Sequence, residues 1–497
     1  MRSTSVVIAV ALFLSGCAAR TQPATAPAAV RHLDAQQTLA TDLHTLFANR
    51  VYDHASWAAV VSSLRTGETL YSLNASRLLI PASSQKLLTT AVAAERLGWD
   101  YRFTTRILAT GPIADGTLTG DLIIVGNGDP TINPRHPERW RLFDEWAAAL
   151  QARGIRVISG HVIGDDNAMA EPGWGMGWSW DDLKYGFGAP IGALQYNENQ
   201  VEVLVGPGMT AGASATISTS PLDSGLVIDD RVTTADAGTE SALDIARVPG
   251  TSSLDVRGQV ALDAKPVSVI AAVDNPTRLY LNAFREALGR HGITVSGNLL
   301  DIDELREPPT IGEAVELITD RSPPLSDIID VTMKWSRNGY AETLLYALSP
   351  PDMVATDTKG LEALRQTLGG WGIVPESYVA RDGSGLSRYD FISADAVAAL
   401  LTSIHKHPQH AEAFRQTLPV AGLSGTLANR MKGTPAEGRV WAKSGSMSHV
   451  RTLAGYVVTI DGEPLVFAIL VNNFLAPAAE IEALVDKALV RLVEFRR

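Results

Sequence analysis

"PASSQKLLTT", Pro81 to Thr90, sets two adjacent serines, Ser83 and Ser84, just ahead of Lys86. Leu87, Leu88, Ala91, Val92 and Leu97 follow at helical spacing, and Gly98 stops the run. The pattern predicts a helix starting near Ala82. On a helix, residues three apart are neighbours and residues two apart are not. Ser83 therefore falls beside Lys86, while Ser84 points elsewhere. A serine hydroxyl is a weak nucleophile until a base takes its proton. A lysine whose pKa is lowered by desolvation can be that base. The start of the helix adds free backbone N–H groups for an oxyanion. Serines are also common helix caps, and Ser-x-x-Lys recurs at Ser403 to Lys406. The stretch alone leaves both readings open.

Two distant stretches bear on the choice. "MKWSRNGYAETLL" carries Ser336-Arg337-Asn338, a hydroxyl and a carboxamide two apart that can both line a cleft from a loop. Ser-x-Asn recurs by chance at Ser72 to Asn74 and Ser296 to Asn298. "VWAKSGSMSHVRTLAGYV" carries Lys443-Ser444-Gly445-Ser446 at the opening of a hairpin. A cationic, hydroxyl-bearing strand edge suits a substrate carboxylate, and Gly445 lets a substrate backbone come close.

The ends of the chain mirror each other. Leu33 to Asn49 reads as a helix, and Ser56 to Leu73 as strand, Thr66-Gly67 turn, strand. Arg451 to Asn473 reads as a hairpin turning at Asp461-Gly462, and Ala478 to Phe495 as a closing helix. The termini are therefore expected to build one sheet together. The middle, residues 101–305, is rich in short strands, Gly, Thr and Asp, and reads as one or two inserted β-rich domains. "WGMGWSW", Trp174 to Trp180, reads as packing of that insertion against the main domain, with substrate contact as the second reading. "HKHPQH", His405 to His410, lacks a good metal-ligand spacing and reads as a solvated loop.

The 497 residues are 45% hydrophobic, ample for a large core, and the net charge of -12 argues against a nucleic-acid footprint. The one cysteine, Cys17, excludes an intramolecular disulfide. It ends "LSGC", directly after the apolar run Val6 to Leu14, which has signal-peptide length. This resembles the lipobox of bacterial lipoproteins, with residues 1–17 as signal peptide and Cys17 as the lipidated first residue. Residues 18–37 form a Pro/Ala-rich tether. Ala18 after the cysteine, by the same resemblance, implies anchoring to the outer membrane with the body in the periplasm.

Ser-x-x-Lys, Ser-x-Asn and Lys-Ser-Gly in this order are the signature of penicillin-binding proteins and serine β-lactamases. The chain resembles the class C low-molecular-mass penicillin-binding proteins, the D-alanyl-D-alanine carboxypeptidase/endopeptidase family. The likeness also covers "GDLIIVGNGDPTI", "RDGSGLSRYDFIS" and "LPVAGLSGTLANRM". It implies an α/β (α+β) fold: a penicillin-binding, β-lactamase-like domain at 38–100 and 306–497, with an antiparallel sheet, flanking helices and an all-helical lobe. The large separation between Lys86 and Ser336 is where this family carries its inserted domains.

By the same resemblance, Ser83 is the acylated nucleophile and Lys86 its general base. Ser336 passes a proton to the leaving D-alanine and Asn338 holds the peptide. Lys443, Ser444, Gly445 and Ser446 serve the terminal carboxylate, with the N–H groups of Ser83 and Ser446 as oxyanion hole. Asp165 and Arg388 match positions that contact the peptide stem in related enzymes, with surface or turn charges as the other reading. Ser424 lines the site or is a turn serine. No metal or other cofactor is required. The implied partners are peptidoglycan stem peptides and β-lactams, with a membrane met only through Cys17 and no nucleic acid. Two alternatives stand beside this. A catalytically silent peptidoglycan-binding lipoprotein is opposed by the presence of every motif hydroxyl and both lysines. An esterase or β-lactamase on the same fold is opposed by the long insertion.

Overall fold

The structure is a computed structural model and describes residues 34–48, 54–134 and 136–497. Cys17, the signal segment and most of the tether lie outside the described residues.

The two ends of the chain do share one sheet. Its five antiparallel strands run in the order Thr69–Leu73, Ser56–Ser63, Pro464–Asn472, Val450–Val458 and Val440–Met447. Along Ser56–Ser63 the side chains alternate faces with period two. Trp57, Ala59 and Val61 join Leu39, Leu43, Ile481 and Leu489 in the core beneath the terminal helices Ala35–Phe47 and Ala478–Val493. Ala58 and Val60 join Leu87, Leu88 and Val92 on the opposite face. The central strand Pro464–Asn472 is covered on both faces, so it reads as an unbroken apolar run, not as an alternation.

Against that opposite face packs the helical lobe: Lys86–Leu97, Leu325–Lys334, Asn338–Ala347, Asp357–Gly370, Ala394–Lys406 and Ala411–Thr417. The histidine run belongs partly to this interior. His410 is buried, pairs through Nε2 with Glu95 at 2.8 Å, and accepts the Trp99 indole N–H on Nδ1 at 3.1 Å. The expected solvated loop is thus wrong for His410.

The insertion differs from expectation in content and extent. Its outer part is α/β, not simply β-rich. Five strands, Leu299–Asp301, Val162–Asp165, Leu122–Val125, Thr104–Ala109 and Val315–Arg321, form a mixed sheet. Helices Leu142–Ala152 and Pro276–Arg290 pack on it through Trp146, Leu150, Tyr280 and Phe284. Because Val315–Arg321 pairs with Thr104–Ala109, the insertion closes beyond the expected boundary at residue 305. Arg139 reinforces the closure, reaching both Asp129 and Asp320 at 2.7 Å. The β-rich composition comes from a nested unit at 200–272, two three-stranded sheets around Val203, Val205, Val256 and Val260.

Candidate active site

The chain enters the first motif through Ala82, whose φ of 45° lies in the left-handed region. Such strain in a non-glycine residue persists only where surrounding structure over-determines it. A 3-10 turn, Ala82–Gln85, then leads into the helix that begins at Lys86. The Lys86 amine lies 3.0 Å from Ser83 Oγ, 2.7 Å from Asn338 Oδ1 and 2.7 Å from the Ser384 carbonyl oxygen. A neutral amine has two hydrogens and one lone pair. The carboxamide oxygen and the carbonyl can only accept, so they take the two hydrogens, and the lone pair is left for the Ser83 hydroxyl.

Burial lowers the Lys86 pKa to about 8, while the carboxyl groups of Asp382, Glu342 and Asp390 oppose the shift. Ser84 is fully internal. Its hydroxyl meets Thr452 Oγ1 at 2.7 Å, and Thr452 donates in turn to the Pro81 carbonyl at 2.8 Å. The adjacent serines are therefore divided: one faces the amine and one locks the turn to the sheet.

Ser336 is held at φ 58° between two helices, and its hydroxyl receives a hydrogen bond from Lys443 Nζ at 2.9 Å. Lys443 also donates to the Ser444 carbonyl at 2.6 Å. Its pKa is pushed well down by burial and by the nearby Lys86 amine. Asn338 donates its amide N–H to the Phe187 carbonyl at 2.9 Å, which ties the second motif to the insertion. Gly445 sits where the sheet edge meets the first motif. A Cβ there would lie 2.2 Å from Thr452 Oγ1, 2.7 Å from the Pro81 oxygen and 3.0 Å from the Ser83 nitrogen.

These groups open on a cavity of about 320 Å³. Ser83, Ser336, Asn338 and Ser446 line it, as does Arg388, whose guanidinium approaches the Ser448 carbonyl at 3.4 Å. Lys86, Lys443 and Gly445 lie behind this lining, against Ser83 and Ser336, whereas three other expected residues are engaged elsewhere. Asp165 ends the insertion strand Val162–Asp165, buried, with its carboxylate accepting the Asn167 N–H at 3.2 Å. Ser424 is a turn serine, accepting the Val420 N–H at 3.1 Å. Ser444 turns its hydroxyl to Thr426 at 2.8 Å.

Sequence reasoning missed the acid that does face the cavity. It is Asp182, with Phe187 nearby on the same segment. Burial and neighbouring Asp181 raise its pKa, while Arg388 opposes them. The signal lies in "WDDLKYGFGAP", Trp180 to Pro190, where two adjacent acids follow the aromatic run.

Comparison with known proteins gives the family. The sequence model of the D-Ala-D-Ala carboxypeptidase 3 (S13) family matches residues 39–492. The chain belongs to that family. A D-alanyl-D-alanine carboxypeptidase of Actinomadura sp. (strain R39) is 35% identical over 470 residues, covering 92% of this chain and 85% of that protein. The D-alanyl-D-alanine carboxypeptidase DacB of Haemophilus influenzae is 27% identical over 444 residues, covering 88% and 89%. The crystal structure of penicillin binding protein 4 (dacB) from Haemophilus influenzae superimposes with a TM-score of 0.78 at 26% identity, covering 91% of this chain and 98% of that one. In this S13 chain the insertion supplies part of the cavity wall through Asp182 and Phe187.

Proposed function

We infer that this chain is a serine DD-peptidase of peptidoglycan, acting as a D-alanyl-D-alanine carboxypeptidase, a DD-endopeptidase or both. The observation that carries the mechanism is the Lys86 amine, 3.0 Å from Ser83 Oγ with carbonyl-type acceptors at its other two contacts. Neutral Lys86 takes the Ser83 proton, and Oγ attacks the carbonyl of the penultimate D-alanine. The N–H groups of Ser83 and Ser446 receive the oxyanion, an interaction whose loss typically costs about 3 kcal/mol. Ser336, already hydrogen-bonded to Lys443, relays to the leaving amine nitrogen the proton that Lys86 took from Ser83, which returns Lys86 to its neutral form. Lys443 and the Ser446 hydroxyl hold the terminal carboxylate. Ser444 contributes its carbonyl to Lys443 and its hydroxyl to Thr426. Water then attacks the ester, with Lys86 again as base. Asn338 and Arg388 hold the stem peptide.

A β-lactam acylates Ser83 in the same way, but its ring opens without releasing a leaving group, so the ester persists. Fluorescent penicillin tests the assignment. Wild-type protein labels and Ser83→Ala does not; labelling that survives Ser83→Ala would place the nucleophile elsewhere. Digestion of purified sacculi then separates released D-alanine from cut cross-links.

The lipobox-like "LSGC" supports a periplasmic enzyme held to the outer membrane through acylated Cys17. Radiolabelled palmitate incorporated by the full chain and lost in Cys17→Ser is the expected result. Equal incorporation by both would refute the anchor.

A further inference from the structure

The aromatic stretch Trp174 to Trp180 meets the main domain at one loop, Asp382 to Tyr389. Trp178 donates its indole N–H to Asp382 Oδ2 at 2.8 Å. Ser387 Oγ donates to the Met176 carbonyl at 2.7 Å, and the Arg388 N–H to the Gly177 carbonyl at 3.2 Å. Gly177 permits this approach. Its φ is 81°, and a Cβ there would lie 2.4 Å from the Tyr389 ring and 2.8 Å from Ser387 Oγ.

Asp382 is the hub of the loop. It is fully buried, and its two oxygens accept the Gly385 N–H and the Ser387 N–H, each at 2.7 Å, besides the Trp178 indole. The residue so encircled is Ser384, whose carbonyl takes one hydrogen of the Lys86 amine at 2.7 Å. Glu342 fixes the same residue through its preceding peptide, accepting the Ser384 N–H at 2.7 Å. Gly385, Leu386 and Arg388, which follow directly, line the catalytic cavity.

We propose that Asp382 is a positioning residue for the general base, and that Trp178 makes the insertion part of this device. Clamped by Asp382, the loop holds the Ser384 carbonyl where it binds one Lys86 hydrogen and leaves the lone pair on Ser83. The insertion thereby takes part in catalysis at the base as well as at the cavity wall. The ionisable groups around Lys86 are Asp382, Glu342 and Asp390, which oppose the lowering of its pKa by burial, and Lys443, whose own pKa the Lys86 amine helps to push down. Burial is the main cause of the lowered Lys86 pKa, and Asp382 opposes it more than either of the other two acids does.

The inference rests on Ser83 being acylated with Lys86 as base. If wild-type protein does not label with penicillin, that reading fails first; if variants label as fast as a labelling wild type, only the present one fails. The experiment measures the second-order rate of acylation by fluorescent penicillin across pH for the full chain. Asp382→Asn is read alone and together with Asp390→Asn, so that the negative charge cannot move to the neighbouring acid. The expected result is a fall of up to about a hundredfold, the scale of a misplaced catalytic group, with the acidic limb displaced to lower pH. Unchanged rates, or a fall with an unmoved limb, would overturn the proposal. Trp178→Phe keeps an aromatic side chain while removing the indole donor with part of its bulk, and it carries the test if Asp382→Asn does not fold. It is expected to slow acylation severalfold with its melting temperature and penicillin affinity preserved, and a wild-type acylation rate in this variant would overturn the insertion's part.

Discussion

Lys86 Nζ stands 3.0 Å from Ser83 Oγ, whereas the Ser84 hydroxyl, one residue on, is spent on Thr452 at 2.7 Å. Ser83→Ala is therefore expected to abolish acylation with the fold intact. Ser84→Ala should still acylate, and should lose stability by about 1 kcal/mol, the net worth of one buried hydrogen bond. Penicillin labelling and denaturant unfolding of the two variants distinguish these outcomes.

Acylation should depend on pH through Lys86. Only the neutral amine accepts the Ser83 proton, and its pKa is lowered to about 8. The rate is expected to rise as pH climbs through about 8 and to fall about tenfold per unit well below it. Stopped-flow acylation against pH reads this directly. A flat profile between pH 6 and 9, roughly the window in which such a base titrates, would contradict the assignment.

Gly445→Ala should damage both stability and rate. The added Cβ would stand 2.7 Å from the Pro81 oxygen and 3.0 Å from the Ser83 nitrogen, both backbone atoms. Overpacking of this kind costs about 1 to 3 kcal/mol. The shift it forces acts on the N–H proposed for the oxyanion hole, so the acylation rate should drop more than thermal stability alone predicts. Comparing acylation with the melting temperature separates the two effects.

Arg139→Ala should unfold the insertion more readily. Arg139 is nearly buried and bridges Asp129 and Asp320. Breaking such a pair costs about 3 to 5 kcal/mol because a buried charge is left uncompensated. The lower end is expected here, since burial already raises the Asp129 pKa and the acid can take up a proton. Hydrogen exchange should show the loss concentrated in the sheet that contains Val315–Arg321.

Much of the fold was legible because its signals are local. The hairpin turns at Thr66-Gly67 and Asp461-Gly462 and the helical period from Leu87 onward needed no partner to be recognised. Spacing of three residues sufficed to choose Ser83 over Ser84. In the insertion, composition is a poor guide to architecture. The strand-rich nested unit dominates its composition and masks helices Leu142–Ala152 and Pro276–Arg290. Strand Val315–Arg321 carries no local sign of belonging to the insertion, because its partner Thr104–Ala109 lies far earlier in the chain.

At the site, sequence alone determined the residue types: a serine and lysine three apart on one turn, and two later motifs bearing hydroxyl, amide and amine. Those are properties of short segments, fixed by helical and strand geometry. Only tertiary structure decided which groups face one another. It assigned Asp182 to the cavity in place of Asp165, bound the Ser444 hydroxyl to Thr426, and brought the Ser384 carbonyl to Lys86 under the hold of Asp382 and Trp178. These are contacts between segments distant in the chain. They follow from how the insertion folds back on the main domain, which no local spacing records.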